Sequence, residues 1–324
     1  MNPQQERELD RAAELLRAGR LVAFPTETVY GLGADASSPA AVARIFAAKD
    51  RPADHPLIVH LATAAQVDAW TDEFPAKARA LAAAFWPGPL TLVLKKAEGV
   101  PDAVTGGQDT VGLRVPAHPV AHELLRRFGG GIAAPSANRH GRVSPTCARH
   151  VREELGDRVD LVLDGGECEV GLESTIVGCH GEEVTLLRPG RITRRDLEQV
   201  VGPVQSPAAR APRVPGSLRS HYAPSTPVEL ADAAAIDRQV GQPGASQLAV
   251  LARRPPPPGS KVLAWRRAPA DSRGYGRALY AALRELDALG AARIVVEQVP
   301  EGDDWAAVAD RLTRAARRDP PEAT

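Results

Sequence analysis

Short runs of aliphatic and β-branched residues alternate with helical periods along nearly the whole chain, and this alternation restricts the fold more than any other feature. LVAF (21–24), LIVHL (57–61), TLVL (91–94), TVGLRV (110–115), LVL (161–163), STIVG (174–178) and VTLLR (184–188) read as strands. Between them, Leu9, Ala12, Ala13, Leu15 and Leu16 share one helix face that closes at Gly19. Ser38 followed by Pro39 opens a second helix through Ala48, a side-chain cap before a first-turn proline. The pattern predicts an α/β arrangement around a mostly buried sheet. Further on, PVEL, QLAVLA, KVLAW and RIVVEQ alternate with helical stretches at 274–289 and 305–317, the rhythm of a smaller, Rossmann-like doubly wound α/β domain.

Residues 206–220, SPAARAPRVPGSLRS, interrupt the rhythm with three Arg, three Pro and no acid, and predict an extended connector. The expected division is a large domain at 1–205, a linker at 206–224 and a smaller α/β domain at 225–324. Residues 1–205 carry a net charge of −4 and residues 206–220 one of +3, within a chain whose 40 basic and 40 acidic side chains cancel. No global field therefore recruits nucleic acid, an anionic membrane or an acidic substrate. The longest uncharged apolar stretch, Ala80 to Leu94, contains Pro87, Gly88 and Pro89 and falls short of the ~20 apolar residues that span a bilayer. The N-terminus is charged and has no apolar core of a signal peptide, so a cytoplasmic protein without membrane association is expected. Cys147, Cys168 and Cys179 are odd in number and form no CxxC pair, which predicts buried thiols rather than disulfides or a zinc site.

Several loops hold polar residues that a core does not require. FPTETVYGLG (24–33) gathers hydroxyls and free amides where a βα loop opens, a place for a small polar ligand; turn capping by Thr26 or Thr28 accounts for the same residues without one. Lys49 and Arg51 flank the end of a helix just before Pro52, which forces the chain extended, so both cations can turn toward one polyphosphate. Solvated cations that offset a helix dipole are the plainer reading. His55 and His60 lie nearby, and a lone strand histidine such as His60 is commonly a satisfied core residue. APSANRHGRVSPT (134–146) offers Ser136, Asn138 and Ser144 in a glycine-containing turn, groups suited to phosphate and ribose oxygens, although Ser144 also suits a helix cap. LESTIVG (172–178) and LLRPGRI (187–192) add Ser174, Thr175 and Arg188 at strand ends. None of these segments is a Walker loop, a GxGxxG turn or a kinase set.

FPTETVYGLG, Lys49-Asp50-Arg51-Pro52, HPLIVH, FWPGPLTLVL, RVP (114–116), PSAN, SPT, ESTIVG and RPG occur here in the order seen in the YrdC-like threonylcarbamoyl-adenylate synthase family, which residues 5–200 resemble almost continuously. VPGSLRSHYAP (214–224) and the α/β region after it resemble the long, two-domain form of that family. The resemblance implies a YrdC-like twisted open α/β sheet in the first domain. It implies a nucleotidyltransferase that joins L-threonine and bicarbonate into N-carboxythreonine, whose carboxylate attacks the α-phosphate of ATP and expels pyrophosphate. Magnesium would be carried in by the nucleotide, with no metal ligated by the protein. The product, threonylcarbamoyl-AMP, would pass to a threonylcarbamoyl transferase complex that modifies tRNA beside the anticodon, so that tRNA is met only indirectly. By the same resemblance Lys49 and Arg51 are the catalytic cations on the ATP phosphates. His55, Thr110, Ala134, Ser136, Asn138, Ser144 and Arg188 match ATP-contacting positions, and Thr28, His60, Arg114 and Ser174 match positions around threonine. His221 and Tyr222 match a linker segment that closes over the nucleotide.

The residue chemistry agrees with that reading, because a carboxylate already ionised at neutral pH needs alignment and charge stabilisation rather than a strong base. The chain departs from the family pattern in three places. His140 stands where Ser is common, Gly178-Cys179 follows ESTIV where Asp is common, and Val214, Leu218 and Arg219 are unusual in the linker. Two other classes compete. An RNA-binding module of YrdC type conflicts with the −4 charge of residues 1–205. A carbamoyl transferase of the hydrogenase-maturation kind requires zinc-finger segments for which three unpaired cysteines give no basis.

Overall fold

The computed structural model describes residues 3–208, 211–216 and 220–317. The chain divides into two compact units, one of Met1–His140 with Pro145–Ser217 and the other of Gly141–Ser144 with Leu218–Thr324.

The first unit is built on nine strands: β1 (Val22–Phe24), β2 (Gly31–Asp35), β3 (Ile58–His60), β4 (Leu90–Lys95), β5 (Thr110–Arg114), β6 (Ile132–Ala133), β7 (Leu161–Val162), β8 (Thr175–His180) and β9 (Glu183–Arg188). They form one mixed sheet in the order β7-β1-β2-β6-β3-β5-β4-β8-β9. Side chains alternate across it as the pleat demands. Val22 and Phe24 join Leu9, Leu16, Leu124 and Ile132 in one apolar cluster, which is covered by the helices Pro3–Arg17 and Pro119–Phe128. Ala23 belongs to the larger cluster with Leu32, Val59, Leu92, Leu113 and Val177, where Ile45, Leu81, Val151 and Leu197 bring in four more helices.

One expectation from the sequence changes. FPTETVYGLG does not open a helix; its second half returns as β2, antiparallel to β1, with Val22 opposite Gly33 and Phe24 opposite Gly31. A strand reading Gly-Leu-Gly has little strand propensity of its own and is held by its neighbours. Gly33 is required there, since a Cβ would lie 2.8 Å from the Phe24 ring and 2.9 Å from Ile132.

Register then brings distant residues together at one end of neighbouring interior strands. β3 and β5 are parallel, with His60 beside Arg114; β4 runs antiparallel to β5; β8 runs parallel to β4, with Leu90 beside Thr175. The ends of β3 and β5 and the beginnings of β4 and β8 therefore meet. A second device acts at the helix Pro39–Lys49. Its N-terminus is capped by the Ser38 side chain, and it stops at Asp50 in the left-handed conformation, φ +53°. That reversal places Lys49 and Arg51 on either side of the helix end.

The second unit holds β10 (Val228–Ala231), β11 (Leu248–Ala252), β12 (Ala264–Arg267) and β13 (Arg293–Glu297) in one all-parallel sheet, ordered β10-β13-β11-β12. β11 is buried along its whole length, as a parallel sheet covered by crossover helices requires. The crossovers include the helices Ala233–Val240 and Ser272–Asp287, and the helix Ala306–Ala316 follows the last strand. No described helix is long and apolar enough to cross a membrane.

Candidate functional site

Arg114 is the centre of one constellation. The side chain is 4% exposed, and its guanidinium donates to the Gly88 carbonyl (3.2 Å), the Thr28 hydroxyl (2.9 Å) and Glu27 (2.5 Å). The other Glu27 oxygen accepts from the Ala117 amide at 3.1 Å, so the carboxylate is fixed from two sides. Thr26 donates to the Val29 carbonyl at 2.6 Å, which leaves the Thr28 hydroxyl to donate to Thr26 at 2.8 Å while it accepts from Arg114. His60 is buried beside Arg114, with its ring edge-on to Phe24 at 6.0 Å. Burial and then the Arg114 charge push its pKa down to about 3, so the ring is a neutral imidazole.

Ser174 enters from the start of β8. Its hydroxyl lies 2.8 Å from that of Thr91, its carbonyl accepts from Arg188 at 2.9 Å, and the next residue's amide bonds the Pro89 carbonyl at 2.9 Å. Arg188 also donates to the Pro215 carbonyl at 2.7 Å. The segment 213–215 is thus part of the first unit's own packing. Val214 is buried with Ile58, Val93 and Ile176, and Arg213 meets Asp54 at 3.3 Å.

Lys49 is the centre of the other constellation. The residue is 2% exposed, and its ammonium donates to the carbonyls of Ser136, at 2.5 Å, and Asn138. Among the described residues it makes no ion pair. Burial, then the neighbouring Arg51 charge, holds its pKa well below the usual lysine value, against the pull of Glu154. The loop 134–140 is shaped by backbone bonds: Ala134 to Ile58 (3.0 Å), Ala137 to Tyr30 (2.8 Å) and His140 to Lys49 (2.8 Å). Arg51 donates to the Pro56 carbonyl at 2.9 Å, and the rings of His55 and His140 stand 5.3 Å apart.

The fold thus gathers Thr28, His60, Arg114 and Ser174 about one end of the interior strands, with Arg188 bonded to Ser174. It gathers Lys49, Ser136 and Asn138 by hydrogen bonds and sets Arg51 and His55 beside them. Ala134 contributes its backbone to the same loop. Thr110 starts β5, at the opposite end of that strand from Arg114. Ser144 is fully buried and falls in the segment grouped with the second unit. His221 and Tyr222 lie in that unit too. Tyr222 adopts φ +60° and is buried, with its ring stacked on Tyr280 at 5.8 Å and Arg311 over it at 5.1 Å.

Residue patterns alone did not single out Glu27, Thr91 or His140 as partners in these groups. Glu27 carried a signal, an acid between two threonines in a polar loop; Thr91 inside TLVL carried none. Cys147, Cys168 and Cys179 are all free, the last two buried. No group of three or more His, Cys, Asp or Glu among the described residues is placed to hold a metal ion.

Residues 14–190 match the family model for Sua5, YciO and YrdC, described as telomere recombination. Residues 192–317 match the threonylcarbamoyl-AMP synthase C-terminal domain. The chain is 41% identical to the threonylcarbamoyl-AMP synthase of Pyrococcus abyssi, over 94% of its own length and 93% of that protein's. It is 40% identical to that of Bacillus subtilis, over 95% and 93%. The crystal structure of P. abyssi Sua5 with L-threonine superposes with a TM-score of 0.88 at 39% identity, covering 96% of this chain and 94% of that one.

Proposed function

The chain belongs to the Sua5, YciO and YrdC family, in the form that carries the threonylcarbamoyl-AMP synthase C-terminal domain, and on that premise we propose that it makes threonylcarbamoyl-AMP from ATP, L-threonine and bicarbonate. One observation carries the reading. Lys49 is a buried amine bonded to two carbonyl oxygens and, among the described residues, in no ion pair, with the Arg51 guanidinium beside it. A charge withdrawn from water without a counter-charge is costly, and an incoming polyanion supplies what is missing.

Each group then has a task. Arg114, oriented by Glu27 and Gly88, presents a planar fork for a carboxylate, with the Thr28 and Ser174 hydroxyls and the neutral His60 around it for the rest of threonine. The threonine nitrogen takes up bicarbonate with loss of water, giving N-carboxythreonine. A carboxylate oxygen forms a bond to the α-phosphorus, the bond from that phosphorus to the bridging oxygen breaks, and pyrophosphate leaves. Lys49 and Arg51 offset the charge on the phosphates, and magnesium enters with the nucleotide. His55, Thr110, Ala134, Ser136, Asn138, Ser144 and Arg188 take the remaining nucleotide contacts. His221 and Tyr222 belong to the strap that shields the adduct from water. The product goes to a separate transferase acting on tRNA in the cytoplasm.

Purified chain mixed with ATP, threonine and bicarbonate is expected to release pyrophosphate and form an adduct dependent on all three; no release refutes the reading. Lys49→Met, which keeps the aliphatic stem, is expected to lose roughly 100-fold in turnover without losing folding stability, because removing one preorganised charge contact costs that much.

A further inference from the structure

His140, a departure from the family pattern, lies against the cations Lys49 and Arg51. Its amide donates to the Lys49 carbonyl at 2.8 Å, which ties its backbone to the residue at the centre of the cradle. Its ring faces that of His55 at 5.3 Å and a tilt of 50°. Both residues are half-buried, as is Arg51. We propose that His140 and His55 form a proton-coupled grip for the triphosphate, taking up a proton from solvent as the polyanion enters and thereby adding a cation to Lys49 and Arg51.

The charges around the pair account for this behaviour. His140 is held at about 4 by burial and then by Arg51, His55 and Lys49. His55 is lowered by burial, Arg51 and Arg213, against Asp54. Glu154 is the acid that acts on Lys49. Asp54 itself faces Arg213, and Asp50 is paired with Arg158 at 2.7 Å, so their charges are already engaged. Without a bound anion, burial and then the neighbouring cations keep both rings neutral at pH 7. A triphosphate cancels the field of Lys49 and Arg51 and brings oxygens that accept a charge-assisted hydrogen bond, so the protonated imidazole becomes the favoured form. A serine at position 140 binds phosphate oxygens without any exchange of protons.

The inference rests on the adenylation reading, and titration calorimetry of the full chain with magnesium and ATP at pH 7 separates the two. The heat is measured in buffers of different ionisation enthalpy, whose slope counts protons taken up. The wild-type chain is expected to take up roughly one proton per ATP bound, with affinity weakening as pH rises, since binding linked to proton uptake favours low pH. His140→Ser is expected to lose at least half of the uptake and to bind ATP several-fold more weakly. His140→Gln, which keeps a neutral donor but takes up no proton, is expected to lose the slope and the affinity as His140→Ser does, whereas a merely structural role leaves the slope of both variants at the wild-type value. ATP binding by the wild type with a flat buffer slope, or an unchanged slope in His140→Ser, overturns the grip alone. No ATP binding by the wild type overturns the adenylation reading with it.

Discussion

At residue scale, Arg114 shows how a buried charge is made tolerable. The pair with Glu27 is short, both side chains are under a tenth exposed, and every nitrogen of the guanidinium has an acceptor. Such a pair adds little net stability, yet removing one partner costs about 3–5 kcal/mol because the other stays buried. Burial, and then the Arg114 charge, depresses His60, and that has a measurable consequence. The folded protein leaves His60 neutral down to about pH 3, whereas the unfolded chain protonates it near 6.5. Between those values the unfolded state binds more protons, so stability falls as pH drops below 6.5, by up to about 1.4 kcal/mol per pH unit. Urea unfolding at pH 7, 6 and 5 is expected to show this slope, with a shallower one in His60→Gln; equal slopes refute the assignment. The sequence showed His60 and Arg114 as candidates only through the family resemblance. Their adjacency comes from the register of β3 on β5, and no local pattern encodes it.

At the scale of elements, close approach decides as much as propensity does. The RPG turn after β9 crosses the start of β8 so tightly that a Cβ on Gly190 would lie 2.3 Å from the Thr175 amide nitrogen and 2.7 Å from the Ser174 carbonyl carbon. Gly190→Ala is therefore expected to destabilise the protein by about 1–3 kcal/mol, as overpacking does, and to raise the KM for threonine by displacing Ser174. Gly99→Ala, where nothing lies within 4 Å and φ is ordinary, serves as the control and is expected to stay within about 0.5 kcal/mol of wild type. Similar losses in both variants count against the argument. The strands rich in Val, Leu and Ile were legible because their apolar periodicity is their own. β2 was not, because Gly-Leu-Gly becomes a strand only once Phe24 and Ile132 leave no room for anything but glycine.

At the scale of the molecule, the connector is the instructive segment. Its composition predicts an extended linker, and residues 211–216 do lack helix and strand, but they are fastened within the first unit. Val214 fills an apolar cluster, Arg213 reaches Asp54, and the Pro215 carbonyl accepts from Arg188. A fragment ending at residue 205 is therefore expected to be less stable than one ending at residue 216. Burying a valine side chain contributes about 1.5 kcal/mol, and Arg188 keeps its acceptor. Urea titration of the two fragments measures the difference, and identical midpoints refute the expectation.

The sequence alone determined which Val-, Leu- and Ile-rich runs become strands, which periodic stretches become helices, where the chain changes character, and which loops carry cations and hydroxyls. Those properties follow from periodicity, proline and glycine placement and local charge, all of which act over a few residues. Only the tertiary structure decided that Glu27 faces Arg114, that Thr91 meets Ser174, that Lys49 ends in a nest of carbonyls, and that His140 stands against His55. These contacts join residues up to 89 positions apart, as between Lys49 and Asn138, through sheet order and register. That order is settled by how the whole set of apolar faces can be buried at once, so no single segment contains it.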